Sequence, residues 1–306
     1  MKTAKRIIRT SGAQALRLFP EAIPGRGRLA RMINDLSPSE PLNSKVWAPM
    51  RLGHKMLVDL RSFEFQAYYT GDYDNDAIRD LQRLLVPSTV FLDVGANIGF
   101  WTVPMGLSLA RQGGAIHSFE PVPTNFLRLT ENVSRNSLNC VVTLHQVGLS
   151  DQNGTARISL REDFLRGAET GNAALFIDAE DERYQAISVK IARLDDFIHS
   201  LGVSTVDLLK VDIEGHEDKF LAGAGETIRR FRPIIYIEIN DPYYERRGLD
   251  PTQVFEGWLQ AQSYSSALKI DGKWCLQSIR KRRRVIDNVI LIPSERDRDS
   301  LRRLVC

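Results

Sequence analysis

From Val90 onward the chain alternates short apolar runs with amphipathic stretches of helical period, and that alternation leaves few folds open to it. Val90–Val94, Ala115–Phe119, Val141–His145, Val206–Val211 and Ile234–Ile239 read as strands. Trp101–Ala110, Thr124–Arg135 and a segment from Glu217 to Phe231 read as the helices between them. Thr124–Arg135 turns Phe126, Leu127, Thr130 and Val133 inward behind an N-cap at Thr124. Strands joined through helices make βαβ units, so the pattern predicts an α/β fold with a parallel sheet covered on both faces. A helix over Thr252–Gln262, a strand Tyr264–Ile270, an Asp271-Gly272 turn and a strand Val285–Ile292 follow. A closing hairpin of this kind makes the sheet mixed.

Two regions break the alternation. Residues 154–193 hold β-like runs at Ala156–Leu160 and Ala186–Ile191, with Asn172–Ile177 as a third, and read as a β-rich insertion. Residues 1–50 read as a basic leader with one or two short helices, ahead of a domain over 51–306 that begins with a strand at Met56–Leu60 and a helix at Asp74–Leu85. Through Arg31 the leader carries eight basic residues and one acid, while the 306-residue chain as a whole is only +3. Such a small excess gives no reason to expect a nucleic acid partner. The leader and the run Arg280–Arg284 are the segments suited to a membrane surface or an anionic acceptor. Cys140, Cys275 and Cys306 form no CxxC pair, which argues against a disulfide framework or a thiolate zinc site and for a reducing, cytoplasmic setting. No apolar run reaches the ~18 residues of a transmembrane helix.

The chemistry gathers at strand ends. In Phe91-Leu-Asp93-Val-Gly95-Ala-Asn97-Ile-Gly99 an apolar strand ends in an acid, enters a glycine turn and opens a helix. Ligands of open α/β sheets bind at this edge. A dinucleotide fingerprint starting at Gly95 needs glycines where Asn97 and Phe100 stand, which disfavours a nicotinamide-dependent oxidoreductase. Asp93 repels a pyrophosphate and suits a cationic ligand, an ammonium or a sulfonium. Glu120 ends the next strand, where an acid accepts hydrogen bonds from ribose hydroxyls. Asp212 and Glu214 alternate with Val211 and Ile213, so continued extension points both carboxylates the same way. Glu238 and Asn240 end the neighbouring strand. Asp212, Glu238 and Asn240 are hard oxygen donors of the kind a divalent Mg²⁺ uses to acidify a hydroxyl. Tyr68, Tyr69 and Tyr73 are candidates for the cleft wall, while His54, His117, His145 and His199 show no ligand spacing and read as structural.

Taken together, the Asp93–Gly99 turn, Phe119-Glu-Pro121, Val147-Gly-Leu-Ser-Asp151, Leu194-Asp-Asp-Phe197, Leu209-Lys-Val-Asp-Ile-Glu-Gly-His-Glu217 and Arg232-Pro-Ile-Ile-Tyr-Ile-Glu238 resemble the FkbM family of S-adenosylmethionine-dependent methyltransferases. The resemblance runs over residues 56–292. It implies a Rossmann-like class I methyltransferase fold, a seven-stranded mixed sheet with helices on both faces and the last strand antiparallel. It also implies methyl transfer from S-adenosyl-L-methionine to a hydroxyl of a sugar, glycolipid or polyketide-like product, leaving S-adenosylhomocysteine. A non-catalytic adenosyl-binding protein and a methyltransferase for a non-hydroxyl acceptor stay open. The resemblance establishes no metal. Asp93, Gly95, Asn97 and Gly99 are expected around the methionine part, Glu120 at the ribose, and Ser150 and Asp151 near the adenine. A hydroxyl nucleophile calls for a base at the same edge. Glu214 ranks first for it, Glu238 second and His216 third, with Asp212 orienting the cofactor or the base. His216 falls at a variable family position, so it inherits no role.

Overall fold

A computed structural model describes residues 2–21, 23–36, 44–160, 173–174, 185–283 and 285–305. The chain opens with α1 (Lys2–Leu18) and α2 (Arg26–Leu36), then an antiparallel pair, β1 (Lys45–Pro49) and β2 (Lys55–Asp59). Next come α3 (Phe65–Thr70) and α4 (Asn75–Gln82). Ala13, Leu16 and Ala30 pack with Tyr69 in a small core that holds α1 and α2 on α3.

The alternating part follows as β3 (Val90–Val94), α5 (Thr102–Ala110), β4 (Ala115–Phe119), α6 (Pro123–Arg135) and β5 (Val142–His145). After β5 the insertion comprises β6 (Gly148–Leu149), β7 (Gly154–Leu160), β8 (Ala173–Ala174) and β9 (Gln185–Ala192). These four form a sheet of their own in the order β6-β9-β7-β8, over a core of Val122, Ile158, Leu160, Val189 and Ile191. Of the third predicted run, Asn172–Ile177, only Ala173 and Ala174 lie among the described residues.

The chain then returns through α7 (Leu194–Phe197), β10 (Leu208–Val211), α8 (Glu217–Gly223), α9 (Gly225–Phe231), β11 (Ile234–Asn240), α10 (Asp241–Arg246) and α11 (Pro251–Gln262). Where the sequence predicts one helix from Glu217 to Phe231, two form. A Cβ on Gly223 would stand 1.9 Å from the Ser150 carbonyl oxygen, so the first helix passes tightly under the loop after β6, and Ala224 leaves helical geometry with φ −116°. In α11, Asp250 caps the helix by accepting from the Thr252 and Gln253 amides.

The chain ends with β12 (Tyr264–Ile270), β13 (Lys273–Leu276), β14 (Ile286–Pro293) and α12 (Asp297–Val305). The main sheet is mixed, in the order β13-β12-β14-β11-β10-β3-β4-β5. Strands β5, β4, β3, β10 and β11 run parallel, and β14 slots antiparallel between β11 and β12. It has eight strands where the resemblance implies seven. After the Asp271-Gly272 turn the chain doubles back as β13 along β12, burying Trp274, and reaches β14 only afterwards. Period two divides the buried strands cleanly between the two faces. Phe91, Leu208, Ile234 and Ile290 face one core, and Leu92, Leu209, Ile235 and Leu291 the other. Apart from buried His117 and Ser118 of β4, charged side chains enter the middle of the sheet toward the carboxyl ends of β3, β10 and β11.

Candidate active site

Registered pairing sets Asp93 of β3, Lys210 of β10 and Tyr236 of β11 side by side, so all three project from one face. Lys210 is buried. Its Nζ donates to the Gly95 carbonyl at 2.9 Å and lies 3.6 Å from both Asp93 and Asp212. Burial pulls the lysine pKa down, but Asp212, Asp93, Glu238 and Asp74 outweigh it and the net direction is up, so the ammonium stays charged. The sequence reading passed over Lys210. Its signal was a cation standing two residues before Asp212 in an otherwise apolar strand.

Gly95 adopts φ +79°, and a Cβ there would fall 2.0 Å from the Asp212 carbonyl oxygen, so the β3 turn and the β10 loop touch through backbone alone. The Asn97 amide donates to Glu120 Oε2 at 2.9 Å, and the Val122 amide donates to Oε1 at 2.9 Å. Burial nonetheless pushes the Glu120 carboxyl up to about 7. Gly95, Asn97 and Glu120 line a cavity of about 830 Å³ at this sheet edge. Asp93 and Gly99 do not line it. Asp93 lies behind the turn, accepting from Thr102 Oγ1 at 2.6 Å and supporting Lys210. A Cβ on Gly99 would come within 2.8 Å of Leu129, so that glycine serves helix packing.

Asp212, Glu214 and Glu238 line the same cavity, with Asp74 added from the segment before α4. Glu214 arrives by a turn and not by continued extension, with φ +57°, and it accepts from the Tyr243 hydroxyl at 2.8 Å. Glu238 is pushed up to about 9, first by burial and then by repulsion from Asp212, Glu214 and Glu217. Asp74 is also raised, by burial and by Asp212, and accepts from Trp101 Nε1 at 3.4 Å.

Ser150, Asp151 and His216 meet outside the cavity lining. Ser150 Oγ lies 2.9 Å from His216 Nε2 and donates to Asp151, which also accepts from Lys219 at 2.8 Å. Burial drives His216 down to about 4, so the ring is neutral in the physiological range. Asn240 is buried and also outside the lining, so the oxygen set Asp212, Glu238 and Asn240 does not converge on the cavity. Among the described residues, no group of three or more His, Cys, Asp or Glu is arranged to hold a metal ion.

Aromatic side chains line the cavity with the acids. Tyr73 stacks on Phe100 with centroids 3.9 Å apart, Trp101 lies 4.9 Å from Tyr236, and Tyr236 lies 6.3 Å from Trp274. Asp80 holds both Trp274 Nε1, at 2.8 Å, and Lys269 Nζ, at 2.6 Å. Of the three candidate tyrosines only Tyr73 lines the cavity, since Tyr69 belongs to the leader core and Tyr68 packs under the Arg17 guanidinium. Glu21, Ile23, Gly25, Arg26 and Gly27 form a further wall. Arg26 is buried there and donates to the Thr70 carbonyl at 3.1 Å, and Glu21 pairs with Arg79 at 2.5 Å. In the basic run near the C-terminus, Arg280 is matched by Glu256 and Arg282 by Asp241, while Lys281 and Arg283 are exposed. Arg284 lies outside the described residues.

Residues 93–266, more than half of the chain, match the family profile described as Methyltransferase FkbM domain. The 31-O-demethyl-FK506 methyltransferase FkbM of Streptomyces tacrolimicus is 30% identical over 165 residues, covering 47% of this chain and 62% of that protein. The 2-O-methyltransferase NoeI of Sinorhizobium fredii is 30% identical over 169 residues, 51% of this chain and 65% of that protein. The chain thus spans less than two thirds of either relative. The hexuronic acid methyltransferase AglP of Haloferax volcanii is 27% identical over 198 residues, 65% of this chain and 73% of its own length. A crystal structure of methyltransferase FkbM from Methylobacillus flagellatus overlaps at TM-score 0.45 with 14% identity, covering 94% of this chain and 60% of that one, too loosely to transfer any residue. The profile match takes in the glycine turn, Glu120, the Asp212–Glu217 loop and Glu238, the segments that build the cavity edge, and on that match the chain belongs to the FkbM methyltransferase domain family.

Proposed function

We propose that the chain is an S-adenosylmethionine-dependent O-methyltransferase whose acceptor is a hydroxyl on a ring-bearing molecule such as a sugar, glycolipid or polyketide-like product. The observation that carries this reading is the sharing of one cavity by Asp74, Asp212, Glu214 and Glu238 beside the Gly95–Asn97 turn and Glu120. Four carboxylates repel one another there, and Lys210 offsets only part of their charge. Such a set suits a cation bearing a ribose diol. Asp212 and Glu238 would face the sulfonium and Glu120 the ribose hydroxyls: Oε2 keeps a lone pair beyond its amide bond, while Oε1 also accepts from Asn125 Nδ2 at 3.5 Å. When bound, the cofactor supplies a methyl group already activated for displacement. The protein has to align the acceptor oxygen and relieve it of its proton. Trp101, Tyr236 and Trp274 offer flat apolar surface to an acceptor ring. The relatives named for 2-O-methylation and for hexuronic acid support this acceptor class.

Glu238 is the preferred base. The sequence order put Glu214 first, but the Tyr243 hydroxyl already donates to Glu214 Oε2 at 2.8 Å, so that oxygen is engaged within the loop. Glu238 is raised by burial and by its acidic neighbours, and a positive charge beside Asp212 would bring it back toward the range where it accepts a proton near neutral pH. The test measures S-adenosylhomocysteine release across a panel of glycans and hydroxylated natural products. With an active acceptor, Glu238→Gln should lower turnover by ~10²-fold or more while cofactor affinity stays within a few-fold. Retained turnover removes Glu238 as the base and moves the measurement to Glu214→Gln. Absence of both cofactor binding and product across the panel would sink the enzymatic reading.

A further inference from the structure

We propose that the outer faces of α1 and α2 form a docking surface for an anionic lipid bilayer. The inner faces of both helices are already used, with Ala13, Leu16 and Ala30 packed on Tyr69 of α3. A surface helix of an ordinary globular protein carries its apolar stripe inward and is polar outside. These two helices are apolar on the outside as well. On α2, Leu29, Met32 and Leu36 follow the i, i+3, i+7 spacing of one helical face, and all three are exposed, Leu36 by 64%. On α1, Ile7 is exposed by 59% and Ile8 by 46%. Eight of the thirteen large hydrophobic residues exposed among the described residues lie within 7–36, so the apolar surface is concentrated on this segment.

Charge identifies what covers it. Residues 2–36 carry eight basic residues against Glu21 and Asp35; Arg26 is buried and Arg17 turns inward to the Tyr68 carbonyl, while Glu21 is taken up by Arg79. Arg28 and Arg31 are exposed beside Leu29 and Met32, the basic-and-apolar mixture that lies in the headgroup plane of an acidic membrane. A second copy of the chain would bring a like-charged surface against this one, which Coulomb repulsion disfavours. Among the described residues no helix is long and apolar enough to cross a membrane, so the contact is interfacial. The surface is also continuous with the cavity. The joint between the helices exposes Phe19 and Ile23, and Ile23, Gly25 and Gly27 line the cavity itself.

The experiment is flotation of the full chain with phosphatidylcholine vesicles that contain or lack about 30% phosphatidylglycerol, at salt from ~0.1 to ~0.5 M. The chain should partition onto the anionic vesicles ~10-fold more than onto neutral ones and lose that preference as salt rises. Met32→Glu combined with Leu36→Glu should cut partitioning by ~10-fold, with thermal unfolding as the control for folding. If that pair unfolds, Arg28→Glu with Arg31→Glu asks the same question through charge. Equal binding to neutral vesicles, no binding to anionic ones, or binding untouched by these substitutions would overturn the proposal. So would a concentration-dependent dimer in sedimentation velocity that the same substitutions dissolve, because a second copy would then cover the face. Vesicle binding needs no turnover, so its failure leaves the methyl-transfer reading intact, and failure of that reading leaves this one standing.

Discussion

Glu120 sits where burial and hydrogen bonding oppose each other. Two backbone amides favour its ionised form, yet burial dominates and lifts it to about 7. A carboxylate is the form that accepts from both hydroxyls of a ribose, so cofactor affinity should strengthen as pH rises through about 7 and weaken as it falls below. Glu120→Gln should flatten that dependence and cost about 1.5–3 kcal/mol of affinity at alkaline pH. Isothermal titration of both proteins with S-adenosylmethionine across this range checks it, and a sloping profile in the variant would remove Glu120 as the cause. The same shift acts on stability. A carboxyl raised in the folded state lets stability fall as pH climbs from its unfolded value of 4.5 toward about 7. Lys210 poses the opposite problem, a buried cation that holds Asp93 in place. Lys210→Met strands Asp93 as an uncompensated buried charge and should cost about 3–5 kcal/mol in urea unfolding. Adding Asp93→Asn should return part of that loss, and a double variant no more stable than the single one would refute the pairing.

The loop from Asp212 to α8 shows how one element aims its acids. Glu217 Oε1 accepts from the Ile213 and Gly215 amides at 3.1 Å each, and Oε2 accepts from the Tyr244 hydroxyl at 2.9 Å. That bracket shapes the turn in which Glu214 and Gly215 take positive φ, so Glu217 is a positioning residue for Asp212 and Glu214. Glu217→Gln keeps one oxygen for the amides but turns an NH₂ group toward Tyr244 or the reverse, leaving a partner unmet at a cost of about 1–3 kcal/mol. Turnover should fall more than cofactor affinity, and Tyr244→Phe should reproduce part of the effect. An unchanged kcat in Glu217→Gln would show that the loop holds its shape without the bracket. The sequence pattern placed Asp212 and Glu214 on the same side by assuming an extended chain. They do share the cavity, but through this turn, whose cause lies in residues 217 and 244.

The leader matters to the protein as a whole because it is a wall of the cavity as well as a helical pair. Arg26 joins the two parts through the Thr70 carbonyl at 3.1 Å and an ion pair with Asp72 at 3.8 Å. Arg26→Met should loosen the wall, raising the acceptor KM several-fold while cofactor affinity barely moves, since Gly95, Asn97 and Glu120 belong to the sheet edge. Steady-state kinetics beside titration calorimetry separates the two, and equal losses in both would mean that Arg26 supports the fold at large.

The α/β alternation, the mixed sheet, the glycine turn and the acids at the ends of β4, β10 and β11 were all legible beforehand. They are local, since a period of two or of 3.6 reports which face a side chain takes and where a strand stops. Periodicity says nothing of which distant residue a side chain then meets. For that reason Tyr73, Trp101, Tyr236 and Trp274, unrelated in sequence, became one wall only through strand order and the return of β13 along β12. Asp93 and Gly99 belong to the most conspicuous motif and still lie behind the cavity lining, because pairing with Lys210 and contact with Leu129 claim them. Ser150, Asp151 and His216 were read into the site from their places after strands, but the fold gathers them outside the lining. The charge at a strand end is written in the chain; whether it faces ligand or a buried lysine depends on the strand packed beside it.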